Sequence, residues 1–265
     1  MSSPAPLFIV GLGPGSPGLL APDALACLQN CRVIVGYSGY IDLVDPVLLA
    51  DRRVIATGMR GEMERCSLAI DASLDGEPTA VVCSGDPGVY ALAGLVLELL
   101  EERGLCALDL PLAVIPGIPA VCAAAALLGA PLMHDFACVS LSDLLTPWPV
   151  IEKRLECAFA GDFVTVIYNP RSRKRIDHLA QVLAMAGRHR ELTTPVGIVH
   201  KAFRPGQRVF VSPLEHAAPE IADMFTLLII GNSQSRLVPG KGDMPLAWEH
   251  GARMLTPRGY MAKYR

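Results

Sequence analysis

Charged and aromatic side chains are scarce in this sequence, at 18% and 6% of 265 residues, against a hydrophobic fraction of 51%. So apolar a chain can bury a core of its own and is no candidate for disorder. Basic excess is missing as well. A net charge of −3 lacks the cationic footprint of a general nucleic-acid binder, so no nucleic-acid partner is expected. Long apolar runs are also missing. The longest, Leu112 to Met133, is broken by Pro116, Pro119 and Pro131, and no membrane span is expected. The opening residues, Met1 to Pro6, lack the positive segment of a secretory signal, so a cytoplasmic location is expected.

Paired cysteines are absent too. The eight cysteines, at 27, 31, 66, 83, 106, 122, 138 and 157, occur singly, with no CxxC spacing. That excludes the usual zinc and iron–sulfur patterns. Cys27 and Cys31 stand one helical turn apart. The spacing would suit a metal, yet two small apolar side chains on one helix face explain it with less. No metal site is expected, and the thiols read as reduced.

What is present is an alternation of strands and helices. Apolar runs at Leu7–Val10, Arg32–Val35, Asp51–Ala56, Thr79–Cys83 and Leu112–Ile115 read as strands. Helical spacing covers Pro22–Asn30, Met63–Leu74 and Tyr90–Arg103, the last closed by Gly104. This order predicts a mostly parallel sheet with helices on its faces. Pro116-Gly117-Ile118-Pro119 then punctuates the chain. Beyond it the pattern predicts helices over Ala120–Leu128, Val150–Ala160 and Ile176–Ala186. Strands are expected near Phe136–Leu141, Phe163–Tyr168, Pro195–Val199, Arg208–Val211 and Thr226–Ile230. The expectation is two α/β domains, 1–116 and 117–265, with the ligand site in the cleft between them.

Four segments carry chemistry. Gly11-Leu-Gly13-Pro14-Gly15-Ser16 follows the first strand, where glycines permit positive φ and close backbone approach. It fails as a dinucleotide loop. Ser16 replaces the third glycine, and Pro14 and Pro17 remove amides that would cradle a pyrophosphate. The second strand ends in Gly36-Tyr37, with no acid for a ribose hydroxyl, and Gly-Lys-Ser/Thr is absent. Ser84-Gly85-Asp86-Pro87-Gly88 follows another strand, at the end where open α/β sheets bind ligands. Asp86 could equally cap a helix starting at Val89. Pro116 to Ala120 is a rigid turn feeding a helix of small residues, which admits a flat ring or merely close helix packing. Tyr168-Asn169-Pro170-Arg171 precedes the densest basic run, Arg171 to Arg175. Such a run is usually a solvated helix start; facing a cleft, it would suit a polyanion, since Arg pairs carboxylates bidentately.

These four features, in this order, resemble the class III methyltransferases, the tetrapyrrole methylase family, along essentially the whole chain. A narrower likeness, to members that methylate a corrin precursor at C-17 and contract its ring, lies in four stretches. They are Val35-Gly-Tyr-Ser-Gly-Tyr-Ile-Asp-Leu-Val44, Ile167-Tyr-Asn-Pro-Arg-Ser-Arg-Lys-Arg175, Ile230-Gly-Asn-Ser-Gln-Ser-Arg236 and Leu255-Thr-Pro-Arg-Gly-Tyr260. The resemblance implies S-adenosyl-L-methionine as methyl donor, leaving as S-adenosyl-L-homocysteine, a small-molecule tetrapyrrole as substrate, and a homodimer. It places Pro14, Gly85, Asp86, Val89, Pro119, Ala120, Tyr168, Asn169, Ala202 and Gly231 near the cofactor. Pro119 stands where the family often has Thr or Ser, so no hydroxyl contact is available there.

Ring contraction requires proton transfer to and from substrate oxygen, which calls for a general acid–base at the site. Asp42, in the Tyr37/Tyr40 loop after the second strand, is the first candidate; capping a helix is the alternative role for it. His200 and Lys201 come second, and His134 and Asp135 third. Tyr37, Tyr40, Arg171, Arg173 and Lys174 are expected to meet the substrate, the basic side chains at its carboxylates. Two other functions stay open: a sister methylase acting on another precorrin or cobalt-precorrin carbon, and a non-catalytic tetrapyrrole-binding module. The lack of a cysteine-cluster extension favours the metal-free substrate.

Overall fold

The computed structural model describes residues 3–105, 109–172, 174–239 and 252–264. Cys106 and Arg173 lie outside these. The chain divides into two compact units, Met1–Ala120 and Val121–Arg265, so the division falls just past the Pro116–Pro119 punctuation.

The N-terminal unit holds strands β1 (Leu7–Gly11), β2 (Val33–Tyr37), β3 (Arg53–Thr57), β4 (Thr79–Cys83) and β5 (Leu112–Ile115). They form one sheet, ordered β3-β2-β4-β1-β5, and every pairing is parallel. Such a sheet is stable only with both faces covered, and the alternation along each strand provides for that. Leu7, Ile9, Val33, Val35 and Val81 pack against helices α4 (Glu62–Leu74) and α5 (Ala93–Glu102) through Ile70, Val96 and Leu100. On the other face Val10, Ile34 and Val82 meet Ala24 and Leu28 of α1 (Pro22–Asn30). Two short helices, α2 (Ser38–Ile41) and α3 (Pro46–Leu49), complete that layer with Ile41 and Leu48. Because the strands share one direction, the segments leaving β1, β2, β4 and β5 emerge along a single edge.

In the C-terminal unit, α6 (Ala120–Leu128) leads into the short strand β6 (Gly129–Ala130). The main sheet contains β7 (Phe136–Ser140), β8 (Val164–Tyr168), β9 (Pro195–His200), β10 (Arg208–Pro213) and β11 (Thr226–Ile230), ordered β10-β9-β11-β8-β7. Only β7 and β8 pair in parallel; β11 runs antiparallel to both β8 and β9, as does β10 to β9. Thus β7, β8 and β9 point one way and β10 and β11 the other. One face of this sheet buries Ile167, Val196, Ile198 and Leu228 under α7 (Trp148–Ala160) and α8 (His178–Ala186). On the other face α6 approaches so closely that a Cβ on Gly197 would sit 2.4 Å from Leu128.

Several strands occupy the residues expected of them: Thr79–Cys83, Leu112–Ile115 and Thr226–Ile230. Other features differ, among them the short helices α2 and α3, which the sequence pattern does not show. The helix expected from Tyr90 begins only at Ala93, because Tyr90 takes φ 52°, outside the helical region. A third sheet, β12 (Arg236–Pro239), β13 (Ala252–Leu255) and β6, has no counterpart in the sequence pattern. Its strands are short, and β6 contributes two residues. Among the described residues no helix is long and apolar enough to cross a membrane, and the seven described cysteines carry free thiols. Before the short helix α9 (Tyr260–Lys263), Gly259 turns the chain at φ 83°.

Candidate active site

The three glycine-bearing turns of the N-terminal unit meet at the carboxyl ends of β4, β1 and β5, adjacent strands in the sheet. Gly13 and Gly85 face each other in an isolated bridge, each amide donating to the other's carbonyl at 3.1 and 2.7 Å. Both have positive φ, 65° and 73°. Gly117 lies against them: a Cβ there would fall 2.2 Å from the Gly85 carbonyl oxygen and 2.9 Å from the Gly11 Cα. A Cβ on Gly11 would meet the Gly117 nitrogen at 2.6 Å. The crowding is backbone on backbone, so no side-chain rotation relieves it. These glycines are required by the contact between turns.

Asp86 locks the assembly. One carboxylate oxygen accepts from the Gly88 amide at 2.8 Å, the other from the Gly117 amide at 3.1 Å. The carboxylate therefore caps its own turn and ties it to the next. It does not cap α5, which begins at Ala93 with Leu92 as its N-cap. Pro14 is buried, while Val89, Pro119 and Ala120 are half-buried along the same edge. What the three turns themselves offer a ligand is main chain, with the Asp86 carboxylate already bound to amides.

β2 ends at the same edge. Tyr37 and Tyr40 pack edge to face at 5.2 Å, and the guanidinium of Arg65 lies 6.0 Å from the Tyr37 ring centre. Asp42 closes α2 and its side chain is exposed. The capping role weighed for it belongs instead to Asp45, whose carboxylate accepts from the Val47 amide at the start of α3.

The C-terminal unit brings together a second group at the carboxyl ends of β7, β8 and β9. The Tyr168 hydroxyl accepts from the Val121 amide at 3.0 Å. Asn169 takes φ 49° and donates from Nδ2 to Ser140 Oγ at 2.9 Å. Lys201 and Phe203, with φ 50° and 57°, flank the half-buried Ala202. Positive φ at Lys and Phe is strained and persists where surrounding structure imposes it.

Other expected residues are placed differently. Gly231 follows β11, which runs antiparallel to β8 and β9, so it sits at the opposite edge from Tyr168, Asn169 and Ala202. Its amide donates to the Pro195 carbonyl and its carbonyl accepts from Arg190. It does not join that group. His200 is buried, with Nε2 3.0 Å from the Asp223 carboxylate, and so is committed to holding the end of β9 to the turn before β11. Lys201 directs its ammonium over the Phe225 ring at 5.5 Å. Arg171 donates to the Glu220 carbonyl, while Lys174 is exposed. His134 and Asp135 line a cavity of about 570 Å³ with Met133, Phe136, Phe163 and Arg258. That cavity lies at the amino ends of β7 and β8, away from Asn169.

Two buried arginines, Arg65 and Arg190, carry no signal in the sequence, and a third, Arg175, reads there only as part of the basic run. Arg65 donates to Thr57 Oγ1 and the Gly58 carbonyl, bracing the end of β3. Arg190 donates to the carbonyls of Phe159, Phe163 and Gly231. Arg175 bridges the loops that follow β7 and β8. Two stretches of the narrower likeness also prove to be one structural knot: Asn232 Oδ1 accepts from Gln234 and Ser235, and Ser235 Oγ lies 2.6 Å from Thr256 Oγ1.

Burial works against the ionised Asp223 carboxylate, but hydrogen bonds from Thr226, the Phe225 amide and His200 outweigh it and hold its pKa below the ordinary value. A depressed carboxyl pKa stabilises the fold above the unfolded value, about 4, and that stabilisation is lost as pH falls through the folded value. Asp223→Asn should therefore lower the melting temperature at neutral pH and flatten its decline in acid. An acid slope identical to wild type would show that Asp223 contributes nothing there.

The chain matches the Tetrapyrrole (Corrin/Porphyrin) Methylases over residues 6–218, and it belongs to that family. Among relatives, it is 44% identical to a probable cobalt-factor III C(17)-methyltransferase of Salmonella typhimurium, covering 96% of this chain and 99% of that one. A precorrin-3B C(17)-methyltransferase of Sinorhizobium sp is 35% identical, with 96% of each chain covered. The crystal structure of the methyltransferase CobJ superposes with a TM-score of 0.83 at 35% identity, covering 96% of this chain and 100% of that one.

Proposed function

We propose that this chain transfers a methyl group from S-adenosylmethionine to C-17 of a corrin-ring precursor in cobalamin biosynthesis, with contraction of the macrocycle. The observation that carries the reading is the set of three backbone turns locked together by Asp86 at one edge of a parallel sheet. A phosphate-bearing cofactor would need free amides there, and the prolines and the Gly13–Gly85 pair leave few. A neutral main-chain edge fits an adenosyl group and a cationic sulfonium better. When bound, the sulfonium supplies an electrophilic methyl, and its charge disappears as the methyl moves, which apolar surroundings favour. The turns contribute by orientation, since fixing two reactants in near-attack geometry removes several kcal/mol of barrier, roughly 7–11 at best.

Asp42, exposed at the edge where β2 ends, is the carboxylate that exchanges protons with substrate oxygen during contraction. Tyr37 and Tyr40 beside it form an aromatic wall for the macrocycle. Arg171 and Lys174 meet the substrate's carboxylates, and Tyr168, Asn169 and Ala202 belong to the cofactor's surroundings. A homodimer and a cytoplasmic location are part of the same reading.

The higher identity to the cobalt-factor III relative, 44% against 35%, favours a cobalt-loaded substrate over metal-free precorrin-3B. The macrocycle brings its own metal, so the chain need supply no ligands. Incubation with S-adenosylmethionine and each substrate separately tests this. Faster turnover of cobalt-factor III is expected; faster turnover of precorrin-3B would return the assignment to the metal-free compound.

A further inference from the structure

Arg175 ends the densest basic run of the sequence, yet it is only 7% exposed. Its guanidinium joins two loops. One nitrogen, Nη2, donates to the Asn169 carbonyl at 2.8 Å, and Nη1 donates to Asp143 Oδ1 at 3.1 Å. Its backbone amide donates to Ser172 Oγ at 3.2 Å. Asn169 is the left-handed residue after β8, already tied by its side chain to Ser140 at the end of β7. Asp143 lies in the loop after β7, and His178, the first residue of α8, approaches its other oxygen at 3.5 Å. The His178 ring in turn packs against Trp148, the first residue of α7, with centroids 4.0 Å apart. The cluster thus fixes both loops at the carboxyl ends of the parallel pair β7 and β8.

Burial opposes ionisation of Asp143, but the hydrogen bond and charge of Arg175 hold its carboxyl below the usual range. The Asp143 carboxyl is therefore ionised at neutral pH. Among the described residues, the buried Nε of Arg175 has no hydrogen-bond partner.

We infer that Arg175 is a positioning residue: by gripping the Asn169 carbonyl and Asp143 together, it sets the left-handed turn that presents Tyr168 and Asn169 to the ligand. This rests on the proposed reading that the turn belongs to the S-adenosylmethionine site. Arg175 acts through Asn169 and makes no contact with the reacting atoms. Its neighbours Arg171 and Lys174 cannot substitute, since one is held by Glu220 and the other is exposed.

The test uses the full chain, with Arg175→Met and Arg175→Lys. Binding of S-adenosylhomocysteine is measured by calorimetry, and hydrogen exchange is followed along the backbone. Arg175→Met should weaken binding about tenfold or more, as loss of a charged hydrogen bond implies. Exchange should rise in 141–147 and 168–177 alone. Arg175→Lys keeps the charge and can hold one acceptor, so it should recover part of the affinity. If Met does not fold, Lys carries the test, and wild-type affinity in Lys overturns the inference. Wild-type affinity in a folded Met variant overturns it too, as does loosening spread evenly through the C-terminal unit. Failure of the wild type itself to bind would sink the cofactor reading, and this inference with it.

Discussion

Gly117→Ala is expected to abolish S-adenosylhomocysteine binding and to cost the N-terminal unit about 3 kcal/mol or more of stability. The reason is steric and local. The new methyl would lie 2.2 Å from the Gly85 carbonyl oxygen and 2.8 Å from the Gly11 carbonyl carbon. Relief requires the turn after β5 to move away from the turns after β1 and β4. That movement would also pull the Gly117 amide from Asp86, releasing the carboxylate that locks the edge. Calorimetry and thermal unfolding measure the two effects separately. Wild-type binding by Gly117→Ala would show that the three turns do not act as one surface.

Asp42→Asn is expected to reduce turnover roughly 100-fold or more, within the range general acid–base groups supply, while leaving S-adenosylhomocysteine affinity unchanged. Asn matches Asp in shape, and the Asp42 backbone amide still closes α2 by donating to the Ser38 carbonyl. The exposed side chain leaves little for stability to lose. A fall in affinity together with turnover would point to disturbance of the loop. Unaltered product formation would remove Asp42 from the mechanism. His200 is the weaker candidate, because its ring is buried and already paired with Asp223.

The parts of the fold legible in the sequence are those where local pattern and burial agree. Thr79–Cys83 and Thr226–Ile230 are buried along their whole length, so each shows as an unbroken apolar run between turn residues. Strand direction is less legible. β9, β10 and β11 follow one another without long intervening helices, and the reversal of β11 is what carries Gly231 to the far edge. Buried arginines are illegible for another reason. Arg175 and Arg190 reach partners 32 and 31 residues away, and Arg65 folds back onto the turn after β3, while a local view reads each as a solvated charge. The glycine turns were visible as motifs, but their mutual contact was not. Close approach between Gly11, Gly85 and Gly117 depends on β1 lying between β4 and β5, which spacing along the chain does not encode.

The central claim is methyl transfer to C-17, and one incubation tests it most directly. The chain is mixed with cobalt-factor III and S-adenosylmethionine carrying a ¹³C methyl, and the product is read by NMR. The account predicts a single labelled methyl bonded to C-17 of a contracted ring. A labelled methyl at any other carbon, or no transfer to either the cobalt-loaded or the metal-free substrate, would contradict it.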